Sequence, residues 1–262
     1  DFLAWPIQQI KNKKNYGRWD VFGAVGIETT TYCNLRCKWC PNSKYDRGIK
    51  KNEKRMDPEL FKKIIDELSE IKFQGIIRPF YYGDPMVDER MPDFVKYMRK
   101  KIPKAKIYLN TNGVALTIEK YKNLQKAGID YLMISQYADK MLPNVKEVFD
   151  YLKTRPEKEN VAKYRIYNED EFVLSNRGGE IEVKEIASRP FCAYPGHYDL
   201  NIIHNGDIVL CCNDYHGKVV FGNVKNEKIM DIWEKPHYHK LRKEVRTGIY
   251  KLPMCKKCMG IK

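Results

Sequence analysis

The stretch that most limits what this chain can become is CNLRCKWCPN, Cys33 to Asn42, which directly follows the run AVGIETT. Cys33, Cys37 and Cys40 fall within one short loop. Three thiolates from such a loop do not close a tetrahedral zinc site without a fourth ligand. They do suit a [4Fe–4S] cluster, taking three irons and leaving the fourth open. A zinc ribbon pairs one CxxC with a distant second, a poor match to CxxxCxxC. The other cysteines, Cys192, Cys211, Cys212, Cys255 and Cys258, lie toward the far end, with none in the long middle. Clustered cysteines in a chain with no secretory signal are metal ligands more often than disulfides. The distribution therefore implies two sites.

The residues around the first loop alternate between short β-like runs and amphipathic helices. AVGIETT reads as a strand, followed by DPELFKKIIDEL with Asp57 as N-cap and Pro58 at the first helical position. GIIRPFYYGDP is a second strand, PDFVKYMRKKI a helix, AKIYLNTNG a strand and IEKYKNLQKAG a helix ending at Gly128. DYLMISQY is a further strand, with a helix over about 143–154. This alternation predicts an α/β fold, a parallel sheet curled into a full or partial barrel. Active sites of such folds form at the C-terminal strand ends. The cysteine loop, YYGDP, NTNG and SQYA are thus expected at one mouth. Beyond about residue 160, YRIYN, EFVLSN, DLNIIHNGDIVLCC and KVVFGNV read as short strands and hairpins, with one helix over about 229–246. A smaller α+β domain is expected there.

Composition narrows the function. The formal charge of +14 arises from lysines scattered along helices and loops, as in KYMRKKIPKAK, which reads as a solvated surface. No recognition helix, zinc finger or RNA-binding signature accompanies it, so no specific nucleic acid is expected. No run of about 18 apolar residues exists, so no membrane span is expected. DFLAWPIQQIKNKKNYGRWD is polar without a signal-peptide core, and a cytoplasmic protein is expected. The histidines show no HxxxH or HExxH spacing and read as surface or loop residues.

A CxxxCxxC loop after a first strand, with Trp39 just before the third cysteine, resembles the radical S-adenosylmethionine (SAM) enzymes. The resemblance implies that the SAM amine and carboxylate chelate the open iron. One-electron reduction then cleaves SAM to a 5′-deoxyadenosyl radical, which takes a hydrogen atom from substrate. YYGDP stands where that family carries a GGEP-like motif. Gly83 would admit close backbone approach and Asp84 would accept from the SAM ammonium group, with Tyr82 and Asp84 departing from the family's Gly and Glu. NTNG matches the family's strand-end TNG, placing Asn110 and Asn112 near SAM ribose or carboxylate. Ser135 and Gln136 fall where the next strand end touches ribose.

The second cysteine group, in the order Cys192, Gly206, Cys211 and then Cys255 and Cys258, resembles the auxiliary-cluster regions called SPASM or Twitch domains. SNRGG, NGDIVLCCND and GNVKNEKIMDIWEKPHYHKLRKEVRTG agree with it. Four ligands for one auxiliary [4Fe–4S] cluster match the shorter, Twitch form; a structural zinc site is the alternative. The implied division is an extension over 1–22, a radical SAM partial barrel over 23–168 and an auxiliary domain over 169–262. Cys212 is left over, either a hydrogen-atom donor to a substrate radical or one of a cysteine pair packed in the core.

The cysteine spacing most resembles small Twitch enzymes that oxidise an alcohol, with the auxiliary cluster accepting the second electron. Peptide cross-linking and epimerisation through Cys212 are the rivals. An iron–sulfur electron carrier leaves the SAM-like motifs unexplained. The resemblance also implies an external one-electron reductant such as flavodoxin or ferredoxin. Tyr81, Arg78, Arg165, Tyr167, Asn213 and Asp214 are polar groups that could face the mouth, unranked by sequence.

Overall fold

In a computed structural model of the chain, the described residues are 4–137, 140–155, 162–166, 175–184, 186, 192 and 199–261. Five strands run parallel in the first part: β1 (Ala24–Ile27), β2 (Ile76–Arg78), β3 (Lys106–Thr111), β4 (Tyr131–Gln136) and β5 (Ala162–Ile166). Helices α2 (Pro58–Glu70), α3 (Met91–Lys101), α4 (Ile118–Ala127) and α5 (Pro143–Lys153) connect them, after an N-terminal helix α1 (Ala4–Tyr16). The α2 N-terminus forms as its sequence dictates: the Asp57 carboxylate accepts the Glu59 N–H at 2.7 Å, with Pro58 following. Helix α4 ends at Gly128, whose φ of 101° suits glycine.

The C-terminal third joins the same sheet. Strand β6 (Asp199–Ile202) pairs in parallel with β1, and β7 (Asp207–Val209) and β8 (Val220–Asn223) follow antiparallel. The order is β5-β4-β3-β2-β1-β6-β7-β8. The expected partial barrel is thus continued by the auxiliary segment's own strands. EFVLSN lies mostly outside the described residues. The single helix expected over 229–246 is two, α6 (Ile229–Trp233) and α7 (Pro236–Arg246). Pro236 breaks it, because it has no N–H to continue the ladder and instead opens the next helix. A last helix, α8 (Pro253–Met259), carries Cys255 and Cys258.

One apolar core runs beneath the sheet. Ile64, Ile65 and Leu68 of α2, Val95 and Met98 of α3 and Trp233 of α6 are fully enclosed. Strand β4 alternates strictly: Leu132, Ile134 and Gln136 are buried, while Met133 and Ser135 are partly exposed on the other face. That alternation decides which strand-end residues reach the mouth.

The chain leaving β2 passes very close to the chain leaving β1. Asp84 N–H donates to Tyr32 C=O at 3.0 Å, and a Cβ at Gly83 would overlap the Thr30 carbonyl oxygen. Only glycine fits there. Gly83→Ala is expected to destabilise the fold by about 1–3 kcal/mol, the usual cost of overpacking. It also displaces the cysteine loop. After anaerobic reconstitution this variant should hold about four irons instead of about eight, the capacity of one cubane against two. A variant with full iron content and unchanged melting temperature contradicts the close-approach reading.

Candidate active site between two thiol clusters

The strand ends of β1 to β4 and β6 enclose a cavity of ≈ 580 Å³. Cys33, Cys37 and Cys40 form one wall, and Cys212 another. The cysteine loop folds back through short turns: Cys33 N–H donates to Gly48 C=O at 3.0 Å, and Cys40 N–H to Cys37 C=O at 2.9 Å. Asn42 is buried and clamps it to the next strand end, donating to Tyr82 C=O at 3.1 Å and accepting from Tyr215 Oη at 2.9 Å. Behind the loop, Glu28 is fully buried. Its carboxylate accepts from Arg47 Nη2 at 2.7 and 2.5 Å and lies 3.1 Å from His204 Nδ1. His204 therefore belongs to the loop's support and is not a free surface histidine.

The expected SAM-side residues divide into two groups. Trp39, Gly83, Asn110 and Ser135 line the cavity, and Trp39 packs on Tyr137 with ring centroids 4.9 Å apart. Asp84 and Asn112 also border it, yet their polar atoms are largely committed elsewhere. The Asp84 carboxylate accepts from Met86 N–H at 2.8 Å, Thr111 Oγ1 at 2.9 Å and Asn112 N–H at 2.8 Å. Burial pushes its pKa up, and these donors oppose the rise. Asn112 Nδ2 donates to Asn34 Oδ1 at 2.8 Å and reaches Cys33 Sγ at 3.7 Å. Gln136 falls on the opposite face of β4 from Ser135. Its amide holds the loop into α5, donating to Lys140 C=O and accepting Leu142 N–H at 2.8 Å. Gln136, expected beside ribose, is thus placed by strand alternation away from the cavity that Ser135 lines.

The second thiol set gathers around α8 and the turn after β7. Cys211 lies near Cys192 and Cys255, and Cys255 near Cys192 and Cys258; burial first and these neighbouring thiols second push the Cys211 and Cys255 thiols up. Asn213 binds two of these sulfurs, donating its N–H to Cys211 at 3.4 Å and its Nδ2 to Cys258 at 3.5 Å. Asn213 and Asp214, expected near the mouth, are both buried. The Asp214 carboxylate accepts Lys218 and Val219 N–H, each at 2.9 Å. Cys212, beside Cys211, lines the cavity.

Both sets fit iron–sulfur clusters. Burial pushes Cys33 up to about 12, Cys37 to about 11 and Cys255 to about 12. Such thiols ionise when a metal supplies the compensating charge. N–H donors on the sulfurs, as from Asn213 and Asn112, are the supporting contacts that orient cluster ligands. Among the described residues no three Cys, His, Asp or Glu side chains converge tightly enough to hold one metal ion.

Several cavity residues were not anticipated. Asp199 and Asn201 project inward from β6, beside Arg78 of β2, and Arg78 Nη1 lies 3.3 Å from Asp199 Oδ2. Gly26 faces Asn201 across the β1–β6 register and makes room for its side chain. The alternation polar–apolar in DLNI was the available signal. Tyr82 and Arg177 also line the cavity. Tyr81 spans from β2 to the second thiol set, donating to Cys211 C=O at 2.5 Å. Arg165 is exposed on β5, and Tyr167 lies outside the described residues. No helix is long and apolar enough to cross a membrane among the described residues.

Comparison with known proteins agrees with this geometry. Residues 27–140 match the radical SAM superfamily, and residues 192–259 match SPASM, an iron–sulfur cluster-binding domain. The chain is 30% identical over 244 residues to the S-adenosyl-L-methionine-dependent 2-deoxy-scyllo-inosamine dehydrogenase of Niallia circulans, covering 92% of this chain and 94% of that protein. A crystal structure of BtrN in complex with AdoMet and 2-DOIA superposes with a TM-score of 0.80 at 28% identity, covering 91% of this chain and 93% of that one. An anSMEcpe structure with bound AdoMet, 12% identical with a TM-score of 0.59 over 90% of this chain and 84% of that one, shares the fold. The chain therefore belongs to the radical SAM superfamily, as a SAM-dependent enzyme with one SAM-binding [4Fe–4S] cluster and an auxiliary iron–sulfur cluster in a SPASM-type domain.

Proposed function

We propose that this chain oxidises a small-molecule alcohol to a ketone through hydrogen-atom abstraction at the carbinol carbon. The observation that carries the reading is the cavity itself: it is lined by Cys33, Cys37 and Cys40 and also by Cys212, the chain neighbour of Cys211 in the second thiol set. The dehydrogenase relative, whose name states oxidation of an amino cyclitol, supports the reaction class. When bound, the clusters and SAM supply the 5′-deoxyadenosyl radical and an acceptor for one electron.

The chain's residues bind, orient and take up the proton. Trp39, Gly83, Asn110 and Ser135 form the SAM seat, with Asp84 and Asn112 fixing its floor from behind. Cys33, Cys37 and Cys40 would hold the SAM-binding cluster, and Cys192, Cys211, Cys255 and Cys258 the auxiliary one. Asp199 is the candidate proton acceptor for the substrate hydroxyl. Burial raises its pKa above the ordinary carboxylate value, and Arg78 opposes the rise. A flavodoxin- or ferredoxin-type donor supplies the initiating electron, in the cytoplasm. Residues 23–168 and 169–262 are the two functional parts, built on one continuous sheet.

The second reading is epimerisation, favoured by the placement of Cys212 on the cavity. The two differ in how the substrate radical ends. With SAM, dithionite and a panel of cyclitols, sugars, sugar acids and sugar phosphates in deuterated water, oxidation gives 5′-deoxyadenosine and a ketone. The attacked carbon carries no solvent deuterium, and Cys212→Ala keeps most turnover. A product with one carbon-bound deuterium and inverted configuration, together with a Cys212→Ala variant that makes 5′-deoxyadenosine but no product, replaces oxidation by epimerisation.

Asp199 makes a separate prediction. A base works only when ionised, so ketone formation rises with pH through the raised Asp199 pKa and then levels off. Asp199→Asn should lower ketone formation by about 10²–10⁴-fold, the range for a lost general base. It should abolish the acid limb while 5′-deoxyadenosine still forms. A variant profile that keeps the wild-type acid limb removes Asp199 from the role.

A further inference from the structure

We propose that Arg177 and the Tyr82 hydroxyl form an oxyanion subsite in the cavity, so that the alcohol this chain oxidises also carries a carboxylate or phosphate group. The inference rests on the alcohol-oxidation reading, in taking the cavity as the substrate chamber.

Arg177 lines the cavity, and Tyr82, Cys212, Cys40 and Tyr137 are its electrostatic neighbours. It thus stands at the wall between the two thiol sets. Two carboxylates border the same space, and both are engaged: Asp84 by Met86, Thr111 and Asn112, and Asp199 by Arg78. Among the described residues no carboxylate lies within ion-pair distance of Arg177. A desolvated guanidinium without an anion is costly, and its planar fork matches carboxylate or phosphate oxygens.

Tyr82 supplies the independent observation. The residue borders the same cavity, and its hydroxyl is buried with no hydrogen-bond partner among the described residues. Buried hydroxyls normally have one, so this donor is available to a ligand. Tyr82 is held by a T-shaped packing on Tyr215, with centroids 4.7 Å apart, and by Asn42 on its carbonyl.

The backbone is built to aim Arg177. Its φ is 51°, a left-handed conformation that a long side chain seldom adopts, and Gly178 and Gly179 follow at 73° and 93°. The turn is pinned to α8, with Asn176 Nδ2 donating to Lys257 C=O at 2.7 Å and Gly178 packed under Met254. The segment bearing Cys255 and Cys258 therefore also anchors the turn that carries Arg177.

The test uses holoenzyme with both clusters reduced and S-adenosylhomocysteine in the SAM seat, so that no turnover occurs. Inorganic phosphate and acetate are the probes, read by paramagnetic broadening of the ³¹P and methyl proton signals. Broadening falls steeply with distance, so anions on the lysine-rich surface contribute little. Wild type should broaden at least one probe saturably; phosphate preference points to a phosphate monoester and acetate preference to a carboxylate. Arg177→Gln should weaken binding at least about tenfold and Arg177→Lys less, since lysine keeps charge without the fork. Tyr82→Phe, which removes one oxygen, should weaken it about threefold. Absence of saturable broadening in wild type overturns the proposal. So does equal broadening in wild type and Arg177→Gln, which would mean surface anions only. Iron content reports folding; if Arg177→Gln loses iron, unchanged binding in both other variants overturns it. Failure here leaves alcohol oxidation standing, because that rests on ketone and 5′-deoxyadenosine formation.

Discussion

The buried Asp84 carboxylate holds the site together. It joins the exit of β2 to that of β3 through Met86 N–H, Thr111 Oγ1 and Asn112 N–H, while its own N–H binds Tyr32 at the exit of β1. Hydrogen bonds to a charged acceptor are each worth about 1.5–3 kcal/mol, and removing the acceptor strands buried donors. The constraint propagates: Asn112, fixed by Asp84, places its amide on Asn34 and Cys33 at the start of the cysteine loop. The residue that resembles a SAM contact in sequence is also the knot that ties three strand exits together.

A second constraint is the pairing of β1 with β6, residues far apart in the chain. Because β6 extends the barrel sheet, the thiol set it leads into has a fixed position relative to the first. Glu28 reinforces the seam, bridging Arg47 of the cysteine loop and His204 beyond β6 inside the core. Removing one partner of such a buried ionic cluster typically costs about 3–5 kcal/mol. An electron acceptor close to the substrate radical is useful only if that spacing is rigid, which a continuous sheet provides.

The local features were legible in the sequence. CxxxCxxC, YYGDP and NTNG each combine a strand end with a turn, and they meet at one cavity because parallel strands share a C-terminal edge. What depends on strand face or on distant pairing was hidden. Gln136 and Ser135 are adjacent in sequence yet lie on opposite faces of β4. Asp199 and Asn201 enter the cavity only because β6 docks beside β1. Asn213 reads as a free polar residue, but the fold spends it on Cys211 and Cys258. Arg177 carries no local signature beyond SNRGG; its place on the cavity wall depends on the turn that α8 holds.

The central claim is that both thiol sets serve one chamber. A cavity of ≈ 580 Å³ is about 10 Å across if round, an ordinary size for a small-molecule site. Electron paramagnetic resonance of the doubly reduced holoenzyme tests the claim most directly. Two half-integer-spin clusters flanking such a cavity should show dipolar broadening, absent when Cys33, Cys37 and Cys40 are replaced by alanine. A spectrum equal to the sum of two isolated clusters would contradict the account.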